Sequence, residues 1–336
     1  MIITLRCGQW QSLPSIYMKN NLLTITVCIP AHNEVENIGN LLTTILRQKL
    51  THGKLDRVLV LCDGCTDSTV TVAKKIANKH QVISVIDDGN RLGKHRRLLN
   101  AFRTCTTDIV VVFDGDTLLT HELVLEELLL PFKDASISLV GGNNIPVSDS
   151  GVENYLINAW TLFWFGVKQY IRKGIHIHNV RSCCLAMRRG LIHNLVWPEQ
   201  LQSHGQFLYL EALRTKTRFM FASKATVWYR NPTTFADYAI QKKRGVGKWK
   251  DFAKRFGPWV SAEYHITRME KAQALLYIFI RHPITTIIAG IFRVFLIVYF
   301  KHKVDSASSH FWTIAQTTKK GISLDLFDTK SAFFTL

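Results

Sequence analysis

Four short apolar segments in the first half of the chain constrain its fold more than any other feature of the sequence. They are rich in β-branched side chains, which is typical of strands buried on both faces of a sheet. The predicted strands are 22–30, 57–62, 82–86 and 108–113. Segments with the apolar spacing of helices separate them, at 37–47, 70–80 and 94–105. This alternation predicts an α/β fold with a mostly parallel sheet.

The second half of the chain has a less regular pattern. It holds three further predicted strands and one predicted helix, at 138–142, 218–222, 225–229 and 207–213 respectively. Residues 154–171 are rich in aromatic side chains, which suit an acceptor platform, an interfacial helix or a core element. Residues 241–254 are strongly basic, and no segment of the chain repeats another.

The net charge of the chain points to an anionic partner. The 336 residues include 42 Lys and Arg against 25 Asp and Glu, which gives +17, and 47% are hydrophobic, as in a globular protein. A nucleic acid, a phosphorylated ligand and an anionic membrane surface all fit this charge. We expect no nucleic-acid partner, because no nucleic-acid-binding signature accompanies the charge. A dinucleotide-dependent dehydrogenase is also disfavoured, since no GxGxxG opens the first helix.

The cysteines favour reduced thiols. Their number, seven, is odd, and a disulfide framework is unusual in a chain of this length. Cys62 and Cys65 have the CxxC spacing, but a zinc site would need a second spaced pair, and Cys183 and Cys184 are adjacent. We therefore expect no metal or redox role for them.

Residues 283–300 form an almost continuous apolar segment between basic flanks. Their number, 18, is near the lower limit for a bilayer span. Arg293 in the middle costs about 2.5–3.5 kcal/mol of insertion free energy, against a gain of about 0.3–0.6 kcal/mol per large apolar residue. Three interpretations stay open: a single span, a helix lying at the membrane surface, and a core helix whose arginine reaches solvent.

Polar residues follow three of the predicted strands where each strand ends, at 30–34, 63–67 and 114–116. The carboxyl ends of parallel strands share one edge of a sheet, which is where ligands of such sheets bind. Asp114 and Asp116 flank a glycine and can approach one cation from one side, as in sites where Mg²⁺ or Mn²⁺ is held by one or two carboxylates plus substrate phosphates. Lys94 follows Gly93 at a helix start and can supply charge to a phosphate. Each motif alone also suits an ordinary turn, cap or surface position.

In this order the motifs resemble those of a known family. PAHNE at 30–34, DGCTDST at 63–69, GK-x5-NA from Gly93 and DGD at 114–116 are similar to the GT-A glycosyltransferases of family 2, the large inverting group. The resemblance is strong over residues 24–145 and weaker to about 255, and Trp312 with the TTK at 317–319 resembles the tail of some bacterial members. It implies a GT-A fold, a nucleoside-diphosphate sugar as donor, with UDP favoured, and Mn²⁺ or Mg²⁺.

The resemblance also implies roles for individual residues. The implied donor-binding residues are Pro30, Ala31, Glu34, Asp63, Lys94, Asp114, Cys183, Gln241 and Arg244. Asp63 would contact the base, and Asp114 and Asp116 would coordinate the metal. Cys183 stands in a segment that would close over the donor sugar, or is simply part of a packed strand. Gln241 and Arg244 resemble the Gln-x-x-Arg motif, which would bind diphosphate; the alternative is a solvated basic helix.

The chain departs from the family at the general base, which inverting transfer needs to deprotonate the acceptor hydroxyl. The family pair that ends in aspartate falls on His204 and Gly205, so no carboxylate stands there. Three alternatives follow: His204 is the base, Glu199 or Glu211 reaches the site, or the chain binds donor with weakened catalysis.

These inferences predict three regions and one main function. Residues 1–21 lack the apolar core of a secretory signal and are interpreted as an extension. Residues 22–255 form the predicted catalytic domain, with a nucleotide-sugar half to 145 and an acceptor half from 146, and 256–336 form a membrane-associated helical region. We expect a metal-assisted inverting glycosyltransferase that acts on a glycan or lipid acceptor in envelope synthesis, at the cytoplasmic face of an anionic membrane. The alternative is a nucleotide-sugar-binding protein on the same fold.

Overall fold

The structure, a computed structural model, describes residues 22–193, 195–198, 203–243, 248–301 and 316–328. The strands in chain order are β1 (Leu23–Ala31), β2 (Gly53–Cys62), β3 (Ile83–Ile86), β4 (Ile109–Phe113), β5 (Thr117–Leu119), β6 (Ile137–Pro146), β7 (Cys184–Arg188) and β8 (Arg218–Tyr229). Across these ranges they form one sheet in the order β3-β2-β1-β4-β7-β6-β8-β5.

Helices cover both faces of the sheet. In chain order they are α1 (Ile38–Leu46), α2 (Thr69–Ala77), α3 (Lys94–Thr104), α4 (Val124–Leu129), α5 (Val152–Tyr170), α6 (Arg189–Ile192), α7 (His204–Arg214), α8 (Phe235–Lys243), α9 (Lys248–Phe256), α10 (Val260–Tyr264), α11 (Arg268–Arg281), α12 (Pro283–Lys301) and α13 (Asp325–Asp328). Residues 130–133, 171–174, 177–179 and 316–319 form 3-10 turns.

The first four strands confirm the predicted parallel sheet. β1 pairs in parallel with β2 and β4, and β2 pairs in parallel with β3. Alternate side chains of β1 pack on opposite faces: Val27 belongs to the core under α1 and α4, and Cys28 to the core under α3 and α7. Burial on both faces explains why these strands are continuously apolar in sequence.

The second half of the sheet corrects one expectation and adds an antiparallel strand. Residues 218–222 and 225–229 are one strand, β8, and its register against β6 shifts between Gly142 and Asn143. This irregularity lies where the apolar pattern breaks. β7 is an inner strand, antiparallel to both β4 and β6, so the segment after Cys183 is a packed strand.

The apolar segment 283–300 forms α12, and only part of it is core. Ala289, Phe292 and Leu296 are buried, whereas Ile284 and Ile291 are 72% and 68% exposed. The interpretation as a plain core helix is therefore wrong. Within the described ranges, no helix has both the length and the apolar character that crossing a membrane requires.

The C-terminal residues 316–328 return to the first half of the molecule. The side chain of Asn37 donates to the carbonyl of Lys319 (3.1 Å), and that of Asn40 donates to the carbonyl of Ile322 (2.9 Å). Arg230, after β8, donates to the carbonyl of Gly321 (2.9 Å). We call residues 316–328 the C-terminal strap, since they cross from the end of β8 to the start of α1. The predicted domain boundaries at 145 and 255 stay predictions.

Candidate active site

Three loops meet at the carboxyl ends of β1, β2 and β4, as the sequence predicts. Pairing in register brings Ala31 opposite Cys62, and the backbone N–H of Asp63 donates to the carbonyl of Ala31 (2.9 Å). A Cβ atom on Gly115 would lie 2.9 Å from Glu34 Cγ and 3.2 Å from the Pro30 carbonyl oxygen. The DGD loop therefore packs directly on the PAHNE loop, and only glycine fits between its two aspartates.

Glu34, Asp114 and Asp116 form a carboxylate cluster at this edge. Glu34 is 5% exposed, and burial, followed by the charge of Asp116, raises its pKa to about 8. Burial and the charge of Asp114 also raise the pKa of Asp116. The cluster thus holds more negative charge than its surroundings favour, which is a property of sites that bind cations.

Two lysines from distant parts of the chain face the carboxylate cluster. Lys94, the first residue of α3, donates to Asp114 Oδ1 (2.6 Å). Lys319 of the C-terminal strap forms an ion pair with Glu34 and donates to the carbonyl of His32 (3.1 Å). The sequence points to Lys94, but not to a site role for Lys319, because the contact joins residues 285 positions apart.

Asp114 and Asp116 fit a divalent cation that substrate phosphates would complete. Among the described residues, no group of three or more His, Cys, Asp or Glu could hold a metal by itself. Mg²⁺ and Mn²⁺ are, however, commonly held by one or two carboxylates together with phosphate oxygens. The half-buried Asp116, whose ionisation Asp114 opposes, has the charge environment that a cation would relieve.

Asp63 fixes the loop that enters α3. Its carboxylate is buried and accepts hydrogen bonds from the backbone N–H groups of Leu92 (2.7 Å) and Gly93 (2.9 Å) and from Arg97 Nε (3.3 Å). Gly93 has φ +88°, a conformation that favours glycine. Asp63 therefore positions the start of α3, and hence Lys94, while its predicted contact with the base stays a prediction.

Cys183 lies beside the carboxylate cluster, just before β7. Asn144 donates to its Sγ atom. Burial, followed by the charge of Asp114, raises the pKa of the thiol to about 12. The side chain is therefore a neutral thiol near Asp114, at the position where the donor sugar is expected.

His204 is the first residue of α7 and is 2% exposed. Its Nε2 lies 3.1 Å from the carbonyl oxygen of Ser182, and its ring contacts those of His95 and Trp197. Burial, with the nearby charge of Lys94, lowers its pKa well below the usual value. The ring is thus neutral, with Nε2 donating and Nδ1 able to accept a proton.

The other candidates for the base lie apart from His204 or outside the described residues. A Cβ atom on Gly205 would lie 3.1 Å from Ser182 Oγ and 3.2 Å from Val180 Cγ1, so little space surrounds this glycine. Glu211 is buried on α7 and paired with Arg214 (2.6 Å). Glu199 is outside the described residues.

The remaining predicted donor residues lie at two places. Pro30 and Ala31 end β1 and pair with β2 at the site edge. Gln241 is half-buried on α8. The same helix contacts the C-terminal strap, because Asp237 accepts a hydrogen bond from the Thr317 hydroxyl (2.7 Å). Arg244 lies outside the described residues.

Sequence comparisons give one family. The model described as glycosyl transferase family 2 matches residues 26–196. Glycosyltransferase AglE of Haloferax volcanii is 26% identical over 141 residues, 41% of this chain and 46% of that protein. The 4,4'-diaponeurosporenoate glycosyltransferase of Staphylococcus aureus is 32% identical over 111 residues, 32% of this chain and 28% of that protein. The matches thus span less than half the length of these relatives.

Solved structures share the fold. The mannosyltransferase PcManGT from Pyrobaculum calidifontis, in complex with GDP-Man and Mn²⁺, has a TM-score of 0.57 at 17% identity and covers 88% of this chain and 85% of its own. S. aureus TarS 1–349, in complex with UDP-GlcNAc, has a TM-score of 0.50 at 17% identity over 75% of this chain and 70% of its own. With the family model matching 171 of 336 residues, from 26 to 196, and the GT-A architecture in place, the chain belongs to glycosyl transferase family 2.

Proposed function

We propose that the chain transfers a sugar from a nucleoside-diphosphate sugar to an acceptor hydroxyl, with inversion and with the help of a divalent cation. The observation that carries this proposal is the carboxylate cluster at the meeting point of three strand ends, with Lys94 and Lys319 facing it. The leaving nucleoside diphosphate gains negative charge as the glycosidic bond breaks, and groups fixed in place before the reaction stabilise that charge best.

The donor is proposed to lie across the ends of β1, β2 and β4. Pro30 and Ala31 would line the nucleoside, Asp63 would hold the loop that borders the base, and Lys94 and Lys319 would lie beside the diphosphate. Asp114 and Asp116 would hold Mn²⁺ or Mg²⁺, which when bound supplies Lewis-acid stabilisation of the departing diphosphate. UDP is the favoured nucleotide from the family resemblance.

His204 is the proposed base. Its Nε2 donates to the Ser182 carbonyl, which fixes the ring and leaves Nδ1 as the atom that would take the proton of the acceptor hydroxyl. The neutral ring suits this role, because a charged imidazolium has no free lone pair.

A second candidate function has its own observation. No carboxylate stands at position 205, and the space around Gly205 is filled by Ser182 and Val180. A protein that binds nucleotide sugar without efficient transfer on the same fold would have no need of a base there.

Nucleotide release separates the two functions. The purified full chain is incubated with Mn²⁺ and a panel of UDP-, GDP-, ADP- and CDP-sugars, and the release of nucleoside diphosphate is measured. Release that Asp116→Asn abolishes, and that the exposed control Asp56→Asn retains, supports the enzyme. Tight nucleotide-sugar binding without release supports the binding protein. Neither binding nor release from any donor contradicts both functions.

The partner proposed for α11 and α12 is an anionic membrane surface, where the acceptor would be a glycan or lipid of the cell envelope at the cytoplasmic face. Both helices carry exposed apolar side chains, namely Leu276, Ile280, Ile284, Ile287, Ile291, Val294 and Ile297. Four cations stand in residues 268–298, Arg268, Lys271, Arg281 and Arg293, against one acid, Glu270. Apolar burial and attraction to anionic lipid would act together there.

Vesicle sedimentation tests this partner. The full chain is expected to sediment with vesicles of phosphatidylglycerol and phosphatidylcholine, less at 0.5 M salt because salt screens the attraction, and little with phosphatidylcholine alone. The double variant Ile287→Glu/Ile291→Glu should stay in solution. The control Leu123→Glu, which changes an exposed apolar residue elsewhere, should still sediment with the vesicles. Equal sedimentation of both variants would contradict the proposal.

A further inference from the structure

Lys168 and Arg181 are two basic side chains whose charges repel each other. Lys168 stands near the end of α5, and Arg181 stands in the loop before β7. In the described part of the chain, neither forms an ion pair with an Asp or Glu side chain. The guanidinium of Arg181 lies over the ring of Phe165, 3.1 Å from the ring centroid, which fixes its position.

The hydrogen bonds of Arg181 are incomplete. Its Nη2 makes one long contact with Asn179 Oδ1 (3.5 Å). Its Nη1 is shielded from solvent and has no hydrogen-bond partner among the described residues. A guanidinium has five N–H donors in a planar fork that matches the oxygens of phosphate and carboxylate groups. An unsatisfied donor on a fixed guanidinium therefore indicates a place for an oxyanion.

The surroundings of Lys168 and Arg181 disfavour their charged forms when no anion is bound. Burial, and then repulsion from Arg181 and Lys242, lower the pKa of Lys168 to about 7. Burial lowers the pKa of Arg181 to about 10. The ionisable side chains next to Arg181 are Tyr229 and Cys183, and both have raised pKa values, so they are neutral at pH 7. Half-buried cations without a counter-ion are unfavourable, and removal of that cost stabilises a bound anion.

The position of the pair separates it from the donor diphosphate. The cations proposed to lie beside the diphosphate, Lys94 and Lys319, each pair with a carboxylate. Cys183 lies near both groups, since the charges of Asp114 and of Arg181 both act on its thiol. The pair is thus a second group of basic side chains, distinct from Lys94 and Lys319, and Cys183 lies close to it in the chain.

We propose that Lys168 and Arg181 bind a phosphate group carried by the acceptor. This proposal rests on the proposed function, because it names the acceptor class of the same site. The phosphate belongs either to a lipid phosphate or to a small soluble phosphate ester, since both present the same oxyanion. Recognition of the phosphate would hold the acceptor against the donor sugar beside Cys183.

Calorimetric titration of the full chain tests the proposal, with the donor site first saturated with UDP and Mn²⁺ or with GDP and Mn²⁺. The probes are farnesyl phosphate against farnesol in detergent micelles, and glycerol 3-phosphate against glycerol. We expect at least one phosphate probe to bind about tenfold or more tightly than its neutral counterpart, as a charge-assisted contact requires. The probe that binds identifies the source, lipid or soluble.

Variants locate the binding. Arg181→Gln and Lys168→Met should each weaken phosphate binding about tenfold, with Arg181→Lys retaining part of it. The exposed neighbour Lys173→Gln should bind as the parent does. All four variants should bind UDP or GDP with Mn²⁺ unchanged. Thermal unfolding identifies any variant that fails to fold. The phosphate affinities of the folded variants then show whether Lys168 and Arg181 bind the phosphate.

Three outcomes would overturn the proposal. The phosphate probes could bind no better than the alcohols, folded variants could bind phosphate as the parent does, or nucleotide affinity could fall together with phosphate affinity, which would place the pair in the donor site. A failure of the proposed function is distinguishable from a failure of the phosphate proposal, because neither UDP nor GDP would then bind. In that case the phosphate titrations are repeated without nucleotide.

Discussion

His204 is the residue whose role depends most on its surroundings. The sequence brings it to attention only because the family's aspartate position is Gly205. The structure adds that its ring is neutral, held by the Ser182 carbonyl and in contact with the rings of His95 and Trp197. A base held in this way would act through Nδ1 alone.

The substitution His204→Ala tests that role. Turnover of the best nucleotide sugar should fall about 100-fold or more, which is the usual contribution of a general base. The affinity for nucleoside diphosphate with Mn²⁺, measured by calorimetry, should stay the same, because His204 is not a proposed donor ligand. Unchanged turnover would exclude His204 as the base.

Gly115 determines how closely two loops of the site approach. In Gly115→Ala the added methyl group would lie 2.9 Å from Glu34 Cγ and 3.2 Å from a backbone oxygen, so the DGD loop must move. We expect a loss of about 1–3 kcal/mol in the free energy of unfolding and weaker nucleotide binding in the presence of Mn²⁺. Gly190→Ala is the control, since nothing lies within 4 Å of its added Cβ. Equal effects of both substitutions on nucleotide binding would contradict this reading.

At the scale of elements, the sequence predicts what is local and misses what is short or distant. The predicted strand at 57–62 is the buried half of β2. The first half of β2 includes the exposed residues Lys54 and Asp56, so an apolar pattern does not detect it. β5 has three residues, too few for a period to appear. The motifs at the strand ends are each contiguous, so the sequence predicts that these loops share one edge of the sheet. Arg181 comes near Lys168 only through the packing of α5, which no local pattern encodes.

The C-terminal strap contributes Lys319 to the surroundings of the carboxylate cluster. Lys319→Met removes an ammonium group. In the parent chain this group pairs with Glu34 and its charge reduces the repulsion around Asp116. Nucleoside diphosphate affinity should fall about tenfold, the equivalent of one charged hydrogen bond. Lys320→Met is the matched control, because its side chain is 72% exposed. Similar affinities for the two variants would contradict a donor-site role for Lys319.

For the whole molecule, buried histidine makes stability depend on pH. His176 is fully buried, and burial lowers its pKa to about 4 from a usual 6.5. The unfolded chain therefore binds a proton that the folded chain excludes, so this contribution to stability is complete above pH 6.5 and is lost as the pH falls through 4. The contribution amounts to about 3 kcal/mol.

Urea unfolding at pH 7 and pH 4.5 measures this contribution. The parent chain should lose about 2–3 kcal/mol more than His176→Asn between these pH values. His80→Asn, which changes an exposed histidine, should behave as the parent does. The same loss in the parent and in His176→Asn would show that another group is responsible.

The ion pair between Glu34 and Lys319 joins residues 285 positions apart, and this separation has a consequence for biosynthesis. At about 5–20 residues per second, the ribosome needs roughly 15–60 s to proceed from one to the other. The parallel half of the sheet can form during that interval, because its four strands lie within the first 113 residues. The nascent chain would then carry its carboxylate cluster without the strap lysine, so the donor site is complete only after the C-terminal strap has been synthesised.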